Sequence, residues 1–314
     1  MSSPSITTAQ APSPRNAAGQ AAYASRQITL VFQLGQGSFG GGGQNQITIS
    51  GLRVHVQVEQ ANLPTPGQAL IRVYGLTLAQ MNQLTTTGLY FGVRKNYVAV
   101  QAGDAQSGMT TVYNGTIYEA YPEFSEMPNS AFVILANPAA VIQVQPQKPV
   151  SFPGPTSAVT ALTQILKPSG VTVESNGVNV MLSSPYFPGS AWQQALACIK
   201  AANVFAFFDP VKNMMAIWPK GQSRNNGNVP LIAPETGMIG YPEFQQNLIR
   251  VRTLFDPSLT GAGGFKVQIK SQLAAASGMA TVFRTTHNLS AQMPGGPWEM
   301  TLFAQPLDVA GKSS

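Results

Sequence analysis

The sequence predicts a mainly β protein with an α+β part: two β-domains, each a barrel or a sandwich, flanking a small αββαββ domain. Three observations carry this. Val54, Val56 and Val58 alternate with Arg53, His55, Gln57 and Glu59, the period-2 pattern of a half-buried strand. A proline-rich stretch from Pro146 to Pro155 then interrupts the strand series, and helical periodicity appears immediately beyond it. From Gly221 the chain loosens and returns to strands.

In order, residues 1–25 read as a disordered N-terminal arm, because their Ser, Pro, Ala and Gln content offers little to bury. The arm has no apolar core of a signal peptide, and no 18-residue apolar run occurs anywhere, so no membrane association is expected. Residues 26–148 form the first β-domain, with one helix in which Leu78, Met81 and Leu84 recur at i, i+3 and i+6 and Gly88 is the stop. Residues 149–222 form the α+β domain. Its first helix has Thr156 as cap, Val159, Leu162 and Leu166 on one face and Pro168 at its end. A hairpin on Asn176-Gly177 follows. The second helix has Ser190 as cap and Trp192, Ala195, Leu196 and Ile199 on one face, and a second hairpin turns at Asp209-Pro210. Residues 223–305 form the second β-domain and 306–314 a polar tail. The tetrapeptide Tyr-Pro-Glu-Phe occurs once in each β-domain, at Tyr121 and at Tyr241, a match too short to establish duplication.

Charged residues make up 10% of the chain, against roughly a quarter in ordinary soluble domains. A surface built from Gln, Asn, Ser and Thr repels copies of itself weakly and suits a protein that lives assembled. Net charge is +6, but the basic residues are scattered singly, which argues against a dedicated nucleic-acid binder.

Gly35-Gln-Gly37-Ser-Phe39-Gly40 fits the G-x-G-x-x-G spacing that cradles phosphates. A phosphate loop must open a helix, whose N-terminal N–H groups hold the anion. Here more glycine and then another strand follow, and the kinase signatures are absent. The expectation is a hairpin tip, with Gly35, Gly37, Phe39 and Gly40 as candidate assembly contacts. Catalytic chemistry is short of parts. His55 reads as a solvent-face strand residue; besides it there is only His287, and Cys198 reads as a small buried helix residue. Glu119, Glu123 and Glu126 are near in sequence and read as rim charges. No cofactor, metal or catalytic residue is assigned.

Arg250 and Arg252 share one strand face, and Lys266, Gln268 and Lys270 share another, with Val267 and Ile269 opposite. If the two strands pair, one face carries up to four positive charges and becomes a docking surface for an acidic partner or for passing nucleic acid. Arg250, Arg252, Lys266 and Lys270 are therefore candidate assembly contacts as well.

The succession ITLVFQLGQGSFG, ITISGLRVHVQVEQA, IRVYGLTLAQMNQLTT, VAVQAGDAQSGMTTVYNGTIYEAY, LSSPYFPGSAWQQALACIKAA, MMAIWPKG, GMIGYPEFQQNLIRVRTLFDPSL and HNLSAQMPGGPWEM resembles the baseplate (tail) hub proteins of tailed bacteriophages. The likeness runs from about Gln27 to Phe303. It implies two tube-like β-barrel domains with smaller domains attached, and a homotrimeric ring whose six barrels mimic the sixfold tail tube. It further implies a structural virion protein of the tail baseplate, made in the host bacterial cytoplasm. The ring joins the tail tube or distal tail protein to the central spike, beside other baseplate proteins, and the tape-measure protein and DNA pass through its bore. The competing readings are a tail-tip cell-wall hydrolase and a host-saccharide-binding β module, the latter with Trp192, Trp218 and Trp298 as stacking platforms, although Trp192 sits on an apolar helix face and reads better as core.

Overall fold

The computed structural model describes residues 25–40, 43–86, 94–104, 106, 108–125 and 129–307. Most of the predicted arm, the stop at Gly88, the carboxylate of Glu126 and the tail beyond Leu307 lie outside them. With 49% of the described residues in strand and 17% in helix, the protein is mainly β and built on extensive antiparallel pairing. It divides into two compact units. One holds the described residues up to Val58 with Gln68–Ala140 and Asn288–Trp298; the other holds Glu59–Gly67, Val141–His287 and the described residues from Glu299.

The first unit contains β1 (Gln27–Gln33), β2 (Gln46–Ile49), most of β3 (Val54–Ala61), β4 (Gln68–Tyr74), β5 (Tyr97–Asp104), β6 (Gly108–Glu123) and β7 (Ala131–Asn137). Its strands run in the order β4-β7-β6-β5-β1-β2, all antiparallel. The alternation seen in the sequence is the packing. Val54, Val56 and Val58 of β3 are at most 1% exposed, as are Leu30 and Phe32 of β1. Each such side chain contributes on the order of 1.5–3 kcal/mol of transfer free energy. Helix α1 (Leu78–Leu84) begins at Thr77, whose hydroxyl accepts from Gln80 N while the Gln80 side chain returns to Thr77 N. Met81 and Leu84 are buried, whereas Leu78, on the same predicted stripe, is exposed in the first turn.

The second unit opens with a short helix, α2 (Ala140–Val144), most of which lies in it. The proline-rich stretch and the residues after it contribute strands: β8 (Val150–Ser151) pairs with β12 (Tyr186–Phe187), and β9 (Pro155–Ser157) with β11 (Met181–Ser183). Proline's extended backbone is compatible with short edge ladders of this kind. Helix α3 (Ala158–Leu166) starts at Ser157, one residue later than the predicted cap Thr156, which belongs to β9. It ends where the 3-10 turn containing Pro168 begins, and buries Leu162, Ile165 and Leu166. Helix α4 (Ala191–Ala202) is capped as predicted by Ser190, reciprocally with Gln193, and ends on Asn203 in the left-handed region, φ 54°.

The Asp209-Pro210 hairpin joins β13 (Val204–Asp209) to β14 (Met214–Pro219), with Asp209 Oδ1 accepting from Val211 N and Lys212 N. The Asn176-Gly177 hairpin does not form. The dipeptide still turns the chain, Gly177 at φ 79°, but β10 (Thr172–Ser175) runs parallel to β14, and β11 leaves for β9. Turn chemistry fixed the turn and not the partner of the strand after it. The rest comprises β15 (Leu231–Ile232), β16 (Met238–Gln245), β17 (Leu248–Leu254), β18 (Lys266–Ile269), most of β19 (Gly278–Ala291) and β20 (Trp298–Pro306). Within this unit β17 lies between β16 and β20, and β18 between β15 and β19. No closed barrel is found among the described residues, in contrast to the two that the resemblance implied. Residue alternation specifies which face is buried; closure depends on tilt and stagger between first and last strands, which alternation does not encode.

Candidate assembly surfaces

The glycine stretch is a hairpin connection. Phe32 and Gln33 stand opposite Ile47 and Gln46. Beyond them Leu34 N donates to Asn45 O and Phe39 N to Gln44 O, both at 2.7 Å. Gly37, Gly40 and Gly43 sit at φ 84°, 66° and 72°, where a side chain would be strained. Gly35 is required for another reason: a Cβ there would collide with the carbonyl oxygens of Arg94 and Lys95. Its N–H donates to Asn96 Oδ1 at 3.2 Å, and Gln83 Nε2 donates to Ser38 O at 3.0 Å. Phe39 is half-buried. Strand β2, not a helix, follows, so no row of free N–H groups converges on an anion.

The four-charge face does not form, because β17 and β18 do not pair; β20 and β19 stand between them in the strand order. The predicted alternation holds within each strand: Ile249, Val251, Val267 and Ile269 are buried, and Arg252, Lys266 and Lys270 are exposed. Their charge is largely matched. Arg250 Nη1 lies 2.8 Å from Glu243 Oε2, Arg252 Nη2 lies 2.7 Å from Glu299 Oε2, and Lys270 Nζ lies 3.6 Å from Glu235 Oε1. Glu243 faces Arg250 across the β16–β17 hairpin, seven residues away, whereas Glu299 of β20 and Glu235 of the turn before β16 are distant in sequence from their partners and invisible to a strand-by-strand reading.

A buried charge cluster in the second unit was missed by the sequence reading. Arg224 is 1% exposed. Its Nε and Nη2 donate to the two oxygens of Glu174 at 2.7 and 3.1 Å, and its Nη1 donates to Gly261 O at 3.2 Å. The guanidinium lies over the Phe265 ring, 4.7 Å from its centroid, with Asp209 Oδ2 at 3.9 Å. The Arg224 hydrogen bonds hold the Glu174 carboxyl below its ordinary range, while burial raises Asp209. The cluster binds the α+β strands β10 and β13 to the loop before β18. Gly263 and Gly264 of that loop lie so close to the Phe207 and Trp218 rings that neither has room for a Cβ.

The remaining candidates are structural in their surroundings. Cys198 is buried, its Sγ 3.7 Å from Ala158 O, and burial pushes its thiol up to about 12. His55 is half-buried, with Nδ1 2.8 Å from Ser290 Oγ; burial and then Arg72 lower its pKa. His287 is fully buried against Phe255, ring centroids 6.3 Å apart. Trp192 and Trp218 are core residues, Trp192 meeting Phe208 edge to face at 5.8 Å. Among the described residues no group of three His, Cys, Asp or Glu gathers, and no helix is long and apolar enough to cross a membrane. A groove of about 710 Å³ beside α3 has Lys148 and Lys167 at its walls and no carboxylate.

The family model for "Baseplate hub gp41" matches residues 28–282. The chain belongs to the baseplate hub gp41 family. No curated protein matches it in sequence. Solved structures resemble it in fold. The tail protein from Neisseria meningitidis MC58 superposes with a TM-score of 0.60 at 7% identity, over 89% of this chain and 96% of that one. The prophage MuSo2 43 kDa tail protein from Shewanella oneidensis gives 0.56 at 8% identity, over 89% and 97%. The E. coli c3393 protein, described as a component of the type VI secretion system, gives 0.54 at 9% identity, over 81% and 73%. Family and fold together support a structural role in a tail or baseplate.

Proposed function

We propose that this baseplate hub family member is a non-enzymatic virion subunit whose three copies close into a ring between the sixfold tail tube and the threefold central spike. The bore of the ring passes the tape-measure protein and then DNA. The observation that carries the reading is the presence of two strand-rich units in one chain of this family. Three such chains offer six β-units to a sixfold partner. In this reading the chain works as a β-domain (26–148), an α+β domain (149–222) and a second β-domain (223–305), each β part acting as a tube-like barrel once its neighbours are in place.

Two features support assembly. Strand β2 ends the strand order in the first unit and β16 ends it in the second. Open edges of this kind are aggregation liabilities unless a neighbour covers them. A closed ring of identical chains needs two different complementary patches on each. The glycine hairpin (Gly35, Gly37, Phe39, Gly40) and, on two separate strands, the side chains of Arg250 and Arg252 and of Lys266 and Lys270 are the proposed contacts. The partners are the tail tube or distal tail protein, the spike, the tape-measure protein and other baseplate proteins. The protein is made in the host cytoplasm and resides in the virion tail.

The test is the native mass of the purified protein with negative-stain images of the same sample. A species of about 100 kDa, three chains of 33.2 kDa, seen as a ring with a central hole is expected. A monomer that stays monomeric when mixed with its tail-tube protein and spike overturns the reading.

A further inference from the structure

The α+β part of the second unit carries its charge unevenly. Residues 127–173 and 175–208 contain no Asp or Glu, so its acids are Glu174 and Asp209, and both pair with Arg224. Lys148, Lys167 and Lys200 are exposed. The ion pairs among the described residues involve Arg72, Arg224, Arg250, Arg252, Lys270 and Arg284. They include neither Lys148 nor Lys167, and these two lysines line the groove of about 710 Å³ beside α3. In a chain with 10% charged residues, two unmatched cations at one groove set it apart from Arg250, Arg252 and Lys270, which carry their own carboxylates.

The groove has two walls of different make. One is the outer face of α3 and the turn after it, where Val159, Thr160, Thr163, Gln164 and Lys167 recur at helical spacing, opposite the buried Ala161, Leu162 and Ile165. From Val159 to Lys167 this face is about 12 Å long, the reach of about four extended residues. The other wall is the segment 147–150, and it is tied along its length. Gln147 Nε2 donates to Ile165 O at 3.0 Å, Lys148 O accepts from Gln194 Nε2 at 3.1 Å, and Val150 stands opposite Phe187 of β12. A wall held in this way is formed before any occupant arrives, which lowers the ordering cost of binding. Pro149, Val150, Val159 and Pro168 supply apolar surface, and the Thr163 hydroxyl is satisfied within the helix, donating to Val159 O at 2.8 Å.

We infer that this groove docks a short acidic peptide segment of a neighbouring baseplate protein, apolar at its centre with Asp or Glu beside it. The apolar side chains lie between the walls, and the carboxylates meet Lys148 on one wall and Lys167 on the other. Charge complementarity of this kind selects the partner and its register. None of the lining residues is fully buried, so the groove lacks the enclosed, convergent polar groups that hold a small anion. No aromatic ring lines it, so a nucleic-acid strand finds no stacking platform there. The inference goes beyond the ring and its bore; only the identity of the partner as a baseplate protein rests on the hub reading.

The probe is an array of overlapping peptides that tile the other tail and baseplate proteins of the same virion. It is read with the full-length protein, and the peptides that bind are then titrated by fluorescence. Bound peptides are expected to share an apolar centre with adjacent Asp or Glu. Lys148→Glu and Lys167→Glu should each weaken their binding about 3-fold and together about 10-fold, and wild-type binding should weaken as salt rises. Thr163→Trp fills the groove without changing charge and should weaken binding as well. Lys200→Glu, an equal charge change on α4 outside the groove, should cost less than about 2-fold. All four positions are exposed, so melting temperatures should stay near wild type. An array on which no such peptide binds overturns the inference, and so does a loss with Lys200→Glu as large as with the groove lysines. A single-stranded DNA oligonucleotide that binds through Lys148 and Lys167 more tightly than any peptide overturns it too. The native mass and images of the purified protein involve no groove partner and decide the hub reading separately.

Discussion

The two compact units stabilise themselves differently. The first is held by alternating aliphatic strands: Val56, Val58, Ile71 and Val73 are fully buried, and its Arg72–Glu123 ion pair is long and half-exposed. The second contains an aliphatic core too, but also buries Arg224 and presses two glycines onto Phe207 and Trp218. Burial of apolar area is non-directional and tolerates small shifts. A bidentate guanidinium–carboxylate pair is directional, and a Gly-on-ring contact admits one spacing. Close glycine approaches occur in both units, Gly115 against Tyr113 in the first, so what sets the second apart is the buried, directional pair of Arg224 with Glu174.

The largest effect that would break this contrast comes from Arg224→Ala. It leaves Glu174 and Asp209 without their counter-charge and should cost about 3–5 kcal/mol, read as a drop in the denaturant midpoint. A loss below about 1 kcal/mol would mean that the cluster is ornamental. In the first unit Val56→Ala should cost less, about 2–3 kcal/mol, through lost burial and a small cavity in a region with no charged latch.

Acid unfolding sharpens the comparison. The folded pKa of Glu174 lies below its unfolded value near 4.5. Its contribution is therefore full above pH 4.5 and is lost as pH falls through the lowered folded pKa. Asp209, raised by burial, has the opposite sign, since protonation relieves its desolvation. Glu174→Gln should consequently flatten the acid limb of the stability curve measured from pH 7 to pH 3. An unchanged limb would place the acid sensitivity elsewhere. The smallest effect is expected at Arg252→Ala: its bridge to Glu299 is solvent-facing and should contribute about 0–1 kcal/mol, diminishing further at high salt. A salt-independent loss above 2 kcal/mol would contradict that.

The candidate contacts show how far residue patterns reach. Gly35 to Gly40 was legible as a hairpin because glycine runs between two strands have a local meaning. The charges of Arg250, Arg252 and Lys270 were legible, but their partners Glu243, Glu299 and Glu235 were not. Arg224 lies in a stretch of Asn, Gly and Ser that reads as a solvated loop, and nothing local marks it as the most buried charge among the described residues.

By itself the sequence determined the mainly β class, the buried faces of β3 and β17, the Ser190 cap of α4, the Asp209-Pro210 hairpin and the core placement of Trp192 and Cys198. Each depends on neighbours within a few positions: side-chain alternation, a capping hydroxyl, a turn dipeptide. Tertiary structure alone decided that β10 joins β14 instead of β11, that β17 and β18 stay apart, that the strand order remains open, and that Arg224 is enclosed. Strand partners are chosen among all edges of matching polarity, and the free energy that chooses is summed over contacts far apart in the chain.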